Sequence, residues 1–381
     1  MKSEGAKGFE TTLIIKGSTL TLKYVIRRAH FSIHIQQLSS GEVLYAILIE
    51  EYDDKPLAIW AVVETEEELS ALTDLDKVGS FPLFLFNEAA VNVCWADVHC
   101  KVLQPLNTVI LKPLVFASPI RTQEDSTLPE AAIGAALAAP TFLPTLQTVG
   151  QLRWHEITNH YITNQFIASP IGILTENEGN QQEELCTWLL DNLSPSGAFK
   201  DPIVQEETKQ REITDVLLTY LGGCFLIESK TLAVLERDEL PSRPKLRKNV
   251  LKNINKALSQ LPGACRNIRA GLRVTSVSGQ TISISREMPP HCIVLVPELS
   301  LLTSDDGLGG EALKQFLHQN AAYLHFLDPS ELMSVMRAAG HIAYLGKTTS
   351  HMMAFDALLI RRWERAIQLD TPHFAFRLQI V

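Results

Sequence analysis

Two acids and a lysine stand inside the most hydrophobic passage of the sequence, REITDVLLTYLGGCFLIESKTLAVL at residues 211–235. Asp215 opens the first apolar run, and Glu228 and Lys230 close the second. Residues two apart on a strand point to the same face, so Glu228 and Lys230 share a face if that run is a strand. Two carboxylates can hold a hard cation such as Mg²⁺, and a lysine can orient or deprotonate an attacking water.

The elements that must position these side chains are two antiparallel strands joined at a Gly-Gly turn. A hairpin centred on Gly222 and Gly223 places Asp215 opposite residues 229–230, within a residue or two. Asp215 would then lie beside Glu228. The sequence therefore predicts that the three functional groups meet at one end of a sheet.

Helices are predicted before and after this hairpin. The segment QQEELCTWLLDNL (181–193) has one apolar face, and RPKLRKNVLKNINKALSQL (243–261) is amphipathic with a strongly basic outer face. Residues 291–299 are typical of a buried strand, and residues 323–339 of a strand followed by a helix capped by Asp328 or Ser330. This order predicts an α/β domain with a mixed sheet.

The N-terminal third of the chain has a different pattern. Short runs that alternate apolar and polar residues predict a β-rich or α+β accessory domain over residues 1–116. Residues 117–149 are rich in Ala, Pro and Thr without a sustained period, which is typical of a linker. The α/β domain is then predicted over residues 150–381.

The charge of the chain is unevenly distributed. The formal net charge of −9 argues against a whole surface adapted to a polyanion. The region 236–273, however, holds ten Lys or Arg against three acids, a local net charge of +7 directly after the hairpin. This favours a nucleic-acid surface on the basic helix. Its candidate phosphate-binding residues are Arg243, Lys245, Arg247, Lys248, Lys252 and Lys256.

These residues together resemble the PD-(D/E)xK nuclease superfamily, which includes restriction endonucleases, repair nucleases and bacterial anti-phage effectors. The resemblance lies in ITD at 213–215, the apolar strand CFLI, and ESK at 228–230, within residues 180–300. Thr214 stands where that family usually has proline. The order of helix, Asp strand, acid-x-Lys strand and basic helix adds to the match.

The resemblance implies a restriction-endonuclease-like mixed sheet flanked by helices, and a Mg²⁺-dependent DNA endonuclease in which Mn²⁺ can substitute. Asp215 and Glu228 would be the metal ligands, with Lys230 near the attacking water. Glu183 or Glu184 fits the further acid that this family places on the preceding helix. Gln260 fits the glutamine that several subgroups carry on the following helix. Family analogy also suggests a bacterial defence role.

Other interpretations remain open at this level. Glu228 and Lys230 can form an ordinary ion pair at the exposed end of a strand, and a basic helix face can simply be solvated. The chain can also be an inactive nuclease-fold protein that binds nucleic acid or a partner as a scaffold or sensor. The N-terminal domain can sense a trigger ligand or phage protein that gates the nuclease.

Several further expectations concern the environment of the protein. The N-terminus lacks a signal peptide and no long uncharged apolar run is present, so we expect a cytoplasmic protein without a membrane partner. The six scattered cysteines are expected to be buried apolar residues. The Met and Leu stripe of residues 351–367 is typical of core packing or of a subunit contact in a homo-oligomer.

Overall fold

The chain forms two compact units, Met1–Ile157 and Thr158–Val381. The computed structural model describes residues 1–5, 8–28, 30–38, 40–49, 57–110, 113–117, 131, 134–135, 144–164, 168–206, 209–237, 241–346 and 350–372. None of the helices in these ranges is both long and apolar enough to cross a bilayer. The six cysteines are buried and unpaired, as expected.

The first unit is built on a mixed sheet of eight strands. Its strands are β1 Lys2–Gly5, β2 Gly8–Thr11, β3 Leu13–Lys16, β4 Phe31–Gln37, β5 Val43–Ile49, β6 Leu57–Val62, β7 Ser80–Phe86, β8 Asn92–Val102, β9 Leu146–Val149 and β10 His155–Glu156. Its helices are α1 Thr19–Arg28, α2 Glu66–Val78 and the short α3 Leu106–Val109. The eight-stranded sheet has the order β3-β7-β8-β9-β4-β5-β6, with β10 paired to β8, while β1 and β2 form a separate two-stranded sheet. The described residues of this unit thus combine a sheet with helices.

The predicted linker is not a connector along its whole length. Most of residues 118–143 lie outside the described ranges, but β9 lies between β8 and β4 within the sheet. Leu146 and Thr148 are buried while Gln147 and Val149 are exposed, which is the alternation of a strand with one covered face. Four residues are too few for this alternation to stand out against a Pro/Ala/Thr-rich background.

The second unit contains the predicted mixed sheet with helices against it. Its strands are β11 Asn159–Ile162, β12 Ala168–Ile171, β13 Gly197–Lys200, β14 Ile203–Gln205, β15 Gln210–Glu212, β16 Val216–Thr219, β17 Cys224–Ser229, β18 Val274–Thr275, β19 His291–Leu295 and β20 Tyr323–Leu327. Its helices are α4 Glu178–Asp191, α5 Arg243–Arg269, α6 Gly310–Asn320, α7 Pro329–Gly346 and α8 His351–Leu369. The main sheet has the order β13-β16-β17-β19-β20, and a smaller sheet has the order β15-β14-β18.

Strand direction changes in the middle of the main sheet. β13, β16 and β17 are antiparallel neighbours, whereas β19 and β20 run parallel to β17. The chain between β17 and β19 contains α5, which provides the long crossover that a parallel pair needs. Every residue of β16, β17 and β19 is buried, so these three strands form the centre of the unit.

The two faces of the main sheet are covered differently. Phe225 and Ile227 of β17 belong to an apolar core that includes residues of α4, α7 and α8. Alternate residues of a strand point to the opposite face, which places Leu226 and Glu228 on the side where α5 contacts β17. Helix α5 buries an i, i+4 series of apolar residues there, including Leu246, Val250 and Ile254.

Helix α5 is longer than the sequence predicts. We expected it to span residues 243–261, and it continues through Pro262 to Arg269. An internal proline costs a helix about 3 kcal/mol, because it lacks an N–H and crowds the preceding turn. Ala264, Cys265 and Ile268 are buried beyond it, and their packing offsets that cost.

A buried polar network occupies the face of the sheet that packs against α7 and α8. His291 Nδ1 lies 2.9 Å from His325 Nε2, and His291 Nε2 lies 2.9 Å from Asp356 Oδ1, at an angle that is poor for a hydrogen bond. The Tyr220 hydroxyl donates to the same Asp356 oxygen at 2.7 Å. We call His291, His325, Asp356 and Tyr220 the histidine network.

Candidate active site

The hairpin predicted from the Gly-Gly pair is present, with its register shifted slightly. Val216 pairs with Ile227 and Thr219 with Cys224, and the turn is closed by hydrogen bonds between Tyr220 and Gly223 at 3.1 and 3.3 Å. Continued by one residue, this ladder places Asp215 opposite Glu228, whereas the sequence predicted residues 229–230. Asp215 and Glu228 are therefore direct cross-strand neighbours at the end of the sheet.

Lys230 joins the two acids. Its Nζ lies 2.8 Å from Glu228 Oε2 and 3.1 Å from Asp215 Oδ2. The Ser229 backbone N–H donates a second hydrogen bond to Asp215 Oδ2, which fixes that carboxylate against the end of β17. Only 2% of the Glu228 side chain and 11% of the Lys230 side chain are exposed. The interpretation of these two residues as an exposed surface ion pair is therefore wrong.

The ammonium of Lys230 is held in its charged form. Burial alone would lower the pKa of Lys230, but Asp215 and Glu228 outweigh that effect and raise it above the usual value. A lysine with a raised pKa is a fixed positive charge and a hydrogen-bond donor near neutral pH. In this arrangement Lys230 is the counter-charge of the two carboxylates.

Further acids surround Asp215 and Glu228, including two that the sequence does not predict. Burial and the nearby Asp215 raise the pKa of Glu183 on α4 to about 7. Burial and Asp215, which also shares a hydrogen bond with it, raise the pKa of Glu212 at the end of β15 to about 7. The backbone N–H of Asp201 donates to the Asp215 carbonyl at 2.9 Å, and burial raises the pKa of the Asp201 carboxyl. We call Glu183, Asp201, Glu212, Asp215 and Glu228 the carboxylate cluster.

A second lysine compensates part of this charge. Lys200 Nζ lies 3.0 Å from Glu184 Oε1 and 3.5 Å from Glu183 Oε2, and it also contacts Asn180. Of the two acids predicted on the preceding helix, Glu183 interacts with Asp215, while Glu184 is held by Lys200. Lys200 was not predicted because its strand, β13, joins the site through pairing with β16, which the local pattern does not show.

The carboxylate cluster has the donor chemistry of a hard-cation site. Burial and Asp215 raise the pKa of Glu228 despite the opposing effect of Lys230, so the ionised form of this carboxylate is disfavoured. Within the described ranges, no three metal-type side chains converge on one point. Instead, one oxygen of Asp215 and one of Glu228 both face the Lys230 ammonium, which marks a position where positive charge is stabilised. Mg²⁺ needs only one or two carboxylates and completes its shell with water.

One edge of helix α5 runs past the carboxylate cluster. Asn253 Nδ2 donates to the Thr231 carbonyl at 2.9 Å, and Asn267 Nδ2 donates to Glu206 Oε1 at 3.3 Å. Between them, Lys256 is close enough to Glu228 to lower its pKa, against the larger raising effects of burial and Asp215. Gln260 is exposed and lies on the same helical edge, one turn after Lys256. The role that the resemblance implies for Gln260 stays a prediction.

The six basic residues predicted to bind phosphate divide into two groups. Arg247 Nη2 pairs with Asp306 Oδ1 at 2.5 Å and donates to Thr303, and Arg243 Nη2 lies 3.9 Å from Glu298 Oε1. These two arginines attach α5 to residues 298–306. The other four are exposed and lie at spacings of three and four, which places them on one side of the helix. We call Lys245, Lys248, Lys252 and Lys256 the lysine stripe.

Comparison with known proteins adds little to this geometry. No protein-family model and no curated protein matches the chain. Among solved structures, the SfsA protein of Pyrococcus furiosus in complex with Ca²⁺ is 10% identical, and the alignment covers 78% of this chain and 88% of that one. Its TM-score is 0.19, a value at which the similarity carries no argument.

Proposed function

We propose that this chain is a metal-dependent nuclease of the PD-(D/E)xK type that hydrolyses phosphodiester bonds of DNA. The observation that carries the proposal is the buried arrangement of Asp215, Glu228 and Lys230 at adjacent strand ends. Acids outnumber lysines around it, and a stripe of exposed lysines approaches it. A scaffold protein would gain nothing from keeping this set together in a buried position.

Asp215 and Glu228 are the residues that would hold Mg²⁺ or Mn²⁺. Such an ion supplies charge neutralisation at the phosphate and lowers the pKa of a bound water. The chain's own contribution is to keep two carboxylates facing one point against their mutual repulsion. The Ser229 N–H and Lys230 do this in the structure, since each contacts Asp215.

Lys230 has two roles in this proposal. Its ammonium counters the negative charge that develops on the phosphate oxygens, and it orients the attacking water through a hydrogen bond. In the reaction, a bond forms from the water oxygen to phosphorus while the bond from phosphorus to a sugar oxygen breaks. One proton passes from the water to a carboxylate of the site, which later releases it to solvent, and a solvent water supplies the proton that the departing sugar oxygen takes up.

Glu183 is a suitable proton acceptor for this step. Its pKa of about 7 means that the carboxyl group exchanges a proton readily near neutral pH. Lys200 contacts its Oε2 oxygen and limits the rise of that pKa. The lysine stripe would bind DNA phosphates without regard to sequence. We propose further that the first unit gates or targets this activity in a defence role.

The experiment that tests the function is cleavage of supercoiled plasmid with Mg²⁺ or Mn²⁺ and with EDTA. Wild-type protein should nick the plasmid only with metal, and Asp215→Asn should remove the activity. Asp305→Asn is the matched control, because it makes the same chemical change at an exposed acid outside the cluster. Absence of cleavage of both plasmid and linear DNA in all metal conditions, or full activity of Asp215→Asn, would overturn the proposal.

A further inference from the structure

Helix α5 continues well beyond the carboxylate cluster and keeps the same side exposed. Gly263 lies about five helical turns after Lys245, so it falls on the line of the lysine stripe. Arg266 follows on that side, in line with Lys248 and Lys252. The helix therefore presents cationic groups before the cluster, at Lys245 to Lys256, and again after it.

Two guanidinium groups meet over Gly263. A methyl group placed on Gly263 would lie 3.5 Å from Arg211 Nη2 and 3.8 Å from Arg266 Nη2. Both arginines are exposed. Because glycine has no side chain, the space between the two guanidinium groups is open down to the helix backbone.

Arg211 is held in place by its neighbours. Its Nε donates to Glu206 Oε1 at 2.7 Å, and Asn267 Nδ2 donates to the same oxygen. This ion pair uses Nε, while Nη2 is directed towards Gly263. Glu206 cancels one positive charge of the pair, and Arg266 leaves a net positive charge. Exposed Lys209 and Arg269 add to the positive charge of this region.

The chemistry of this gap fits a phosphate group. Guanidinium groups bind phosphate oxygens through paired N–H donors, and two of them around one open space recognise a single phosphate. The gap is also adjacent to the proposed active site in sequence and space. Arg211 is followed directly by Glu212 of the carboxylate cluster. Lys256, about two turns before Gly263, interacts with Glu228.

We propose that Arg211, Gly263 and Arg266 form a phosphate subsite for a nucleic-acid backbone, farther along helix α5 than the lysine stripe. This inference rests on the proposed function. A backbone held both before and after the carboxylates passes through the site, so the bond to be cut is internal to the strand. The subsite thus gives a structural reason for endonucleolytic cleavage.

The test compares four proteins in metal-free binding of a fluorescent DNA duplex, with affinity measured as a function of salt. Arg211→Gln/Arg266→Gln should weaken binding about 10-fold and lower the salt slope by about 0.9, since the subsite holds one phosphate and each phosphate contact contributes about 0.9. Lys248→Gln/Lys252→Gln should also weaken binding. Lys16→Gln/Lys101→Gln, which changes two exposed lysines of the first unit, is the charge-matched control and should bind as wild type.

Gly263→Ala separates binding from folding. Alanine favours a helix over glycine by about 1 kcal/mol, and its methyl group meets both guanidinium groups only at ordinary contact distance. The variant should therefore melt at or above the wild-type temperature while its DNA affinity falls several-fold. Wild-type affinity and salt slope in both Gly263→Ala and the arginine variant would overturn the subsite.

Cleavage assays distinguish this outcome from failure of the proposed function. With metal, the wild-type protein should cut covalently closed circular DNA, which has no ends. Cleavage of linear DNA alone would overturn the inference and leave the nuclease proposal standing. A loss of affinity in the arginine variant of a protein that cleaves nothing would support the subsite and overturn the nuclease proposal.

Discussion

The same central strands carry two buried polar groups of opposite character. At one end of the β16–β17 pair lies the carboxylate cluster, and near the hairpin end lies the histidine network. In the network, Asp356 is surrounded by complementary groups, a tyrosine hydroxyl and an imidazole. In the cluster, each carboxyl group has other carboxyl groups as neighbours and shares two lysines with them.

The pKa values of Asp356 and Glu228 are shifted in opposite directions. Burial alone would raise the pKa of Asp356, but its contacts with His291 and Tyr220 outweigh burial and lower it. For Glu228 the balance is reversed, because burial and Asp215 together outweigh Lys230. A lowered carboxyl pKa means that folding has stabilised the charge, and a raised pKa means that folding has made the charge costly.

This contrast separates an acid whose charge the fold stabilises from acids whose charge the fold makes costly. In the histidine network, His291 and Tyr220 stabilise the charge of Asp356 in the folded protein. In the carboxylate cluster, the surrounding fold holds the carboxylates close together although they repel one another. A bound cation would remove that repulsion. The following predictions test that distinction, beginning with the largest expected effect.

Asp215→Ala and Glu228→Ala should each reduce cleavage at least about 1,000-fold, since losing ~4 kcal/mol of transition-state stabilisation removes three factors of ten. Each should leave the metal-free free energy of unfolding unchanged or higher, because one of two repelling carboxylates is gone. The measurements are plasmid nicking with Mg²⁺ and thermal melts in EDTA. Early melting of both variants, irrespective of metal, would make the cluster a structural ion group.

Asp356→Ala should lower stability and leave cleavage nearly unchanged, the reverse of the two cluster variants. It removes the acceptor of the Tyr220 hydroxyl and the carboxylate beside His291 in a fully buried setting, so the free energy of unfolding should fall by about 3–5 kcal/mol. Below its lower melting temperature, the folded variant should cleave DNA within about twofold of wild type, because Asp356 lies in the histidine network and not in the proposed site. Denaturant unfolding and initial cleavage rates measure the two quantities. An Asp356→Ala variant as stable as wild type would contradict the contrast between the histidine network and the carboxylate cluster.

Lys230→Ala should lose cleavage, as the cluster variants do, and should also lose stability, though less than Asp356→Ala. Glu228 would lose its 2.8 Å partner while remaining 2% exposed, so stability in EDTA should fall by about 1–3 kcal/mol. Cleavage should be lost, but binding of Mn²⁺ and of DNA should persist, because Lys230 is not a ligand in the proposal. Calorimetric titration with Mn²⁺ alone checks this. Loss of Mn²⁺ binding together with cleavage would mean that Lys230 is needed to assemble the carboxylates.

The sequence was informative wherever the arrangement is local. Asp215, Glu228 and Lys230 lie on one hairpin, and the Gly-Gly turn with the period of two brings them together. Asp201 and Glu212 could not be placed in this way, although Glu212 is only three residues from Asp215. Their proximity depends on the pairing of β13 and on the small sheet containing β15, and neither pairing has a local pattern.

The histidine network was missed for the same physical reason. His291, His325 and Asp356 come from β19, β20 and α8, and each stands in an apolar segment that is typical of core. The end of α5 was missed because packing of the residues after Pro262 outweighs the helix-breaking tendency of proline. Tertiary contacts between distant segments are the part of this fold that local sequence patterns leave undetermined.

The smallest expected effect is a pair of opposed pH dependences. Glu183 and Glu212 have folded-state pKa values of about 7, against about 4.3 in an unfolded chain, so between these values the folded state binds more protons. Their contribution to stability is therefore present at low pH and is lost as pH rises through 7. His325 behaves in the reverse way. Burial and then His291 lower its pKa well below 6.5, so the unfolded state binds more protons and stability falls as pH drops below 6.5.

Two variants isolate these slopes in EDTA between pH 4.5 and 8. Glu183→Gln/Glu212→Gln should gain stability over wild type near pH 8, and the gain should vanish by pH 4.5. His325→Gln should lose stability at neutral pH, where the buried imidazole is neutral and hydrogen-bonded, and its deficit should shrink as pH falls. Saturating Mg²⁺ should remove the carboxylate slope from wild type but leave the histidine slope, because the proposed cation site lies in the carboxylate cluster. Stability curves that run parallel to wild type for both variants would show that the two ends of the sheet do not differ in the way the structure indicates.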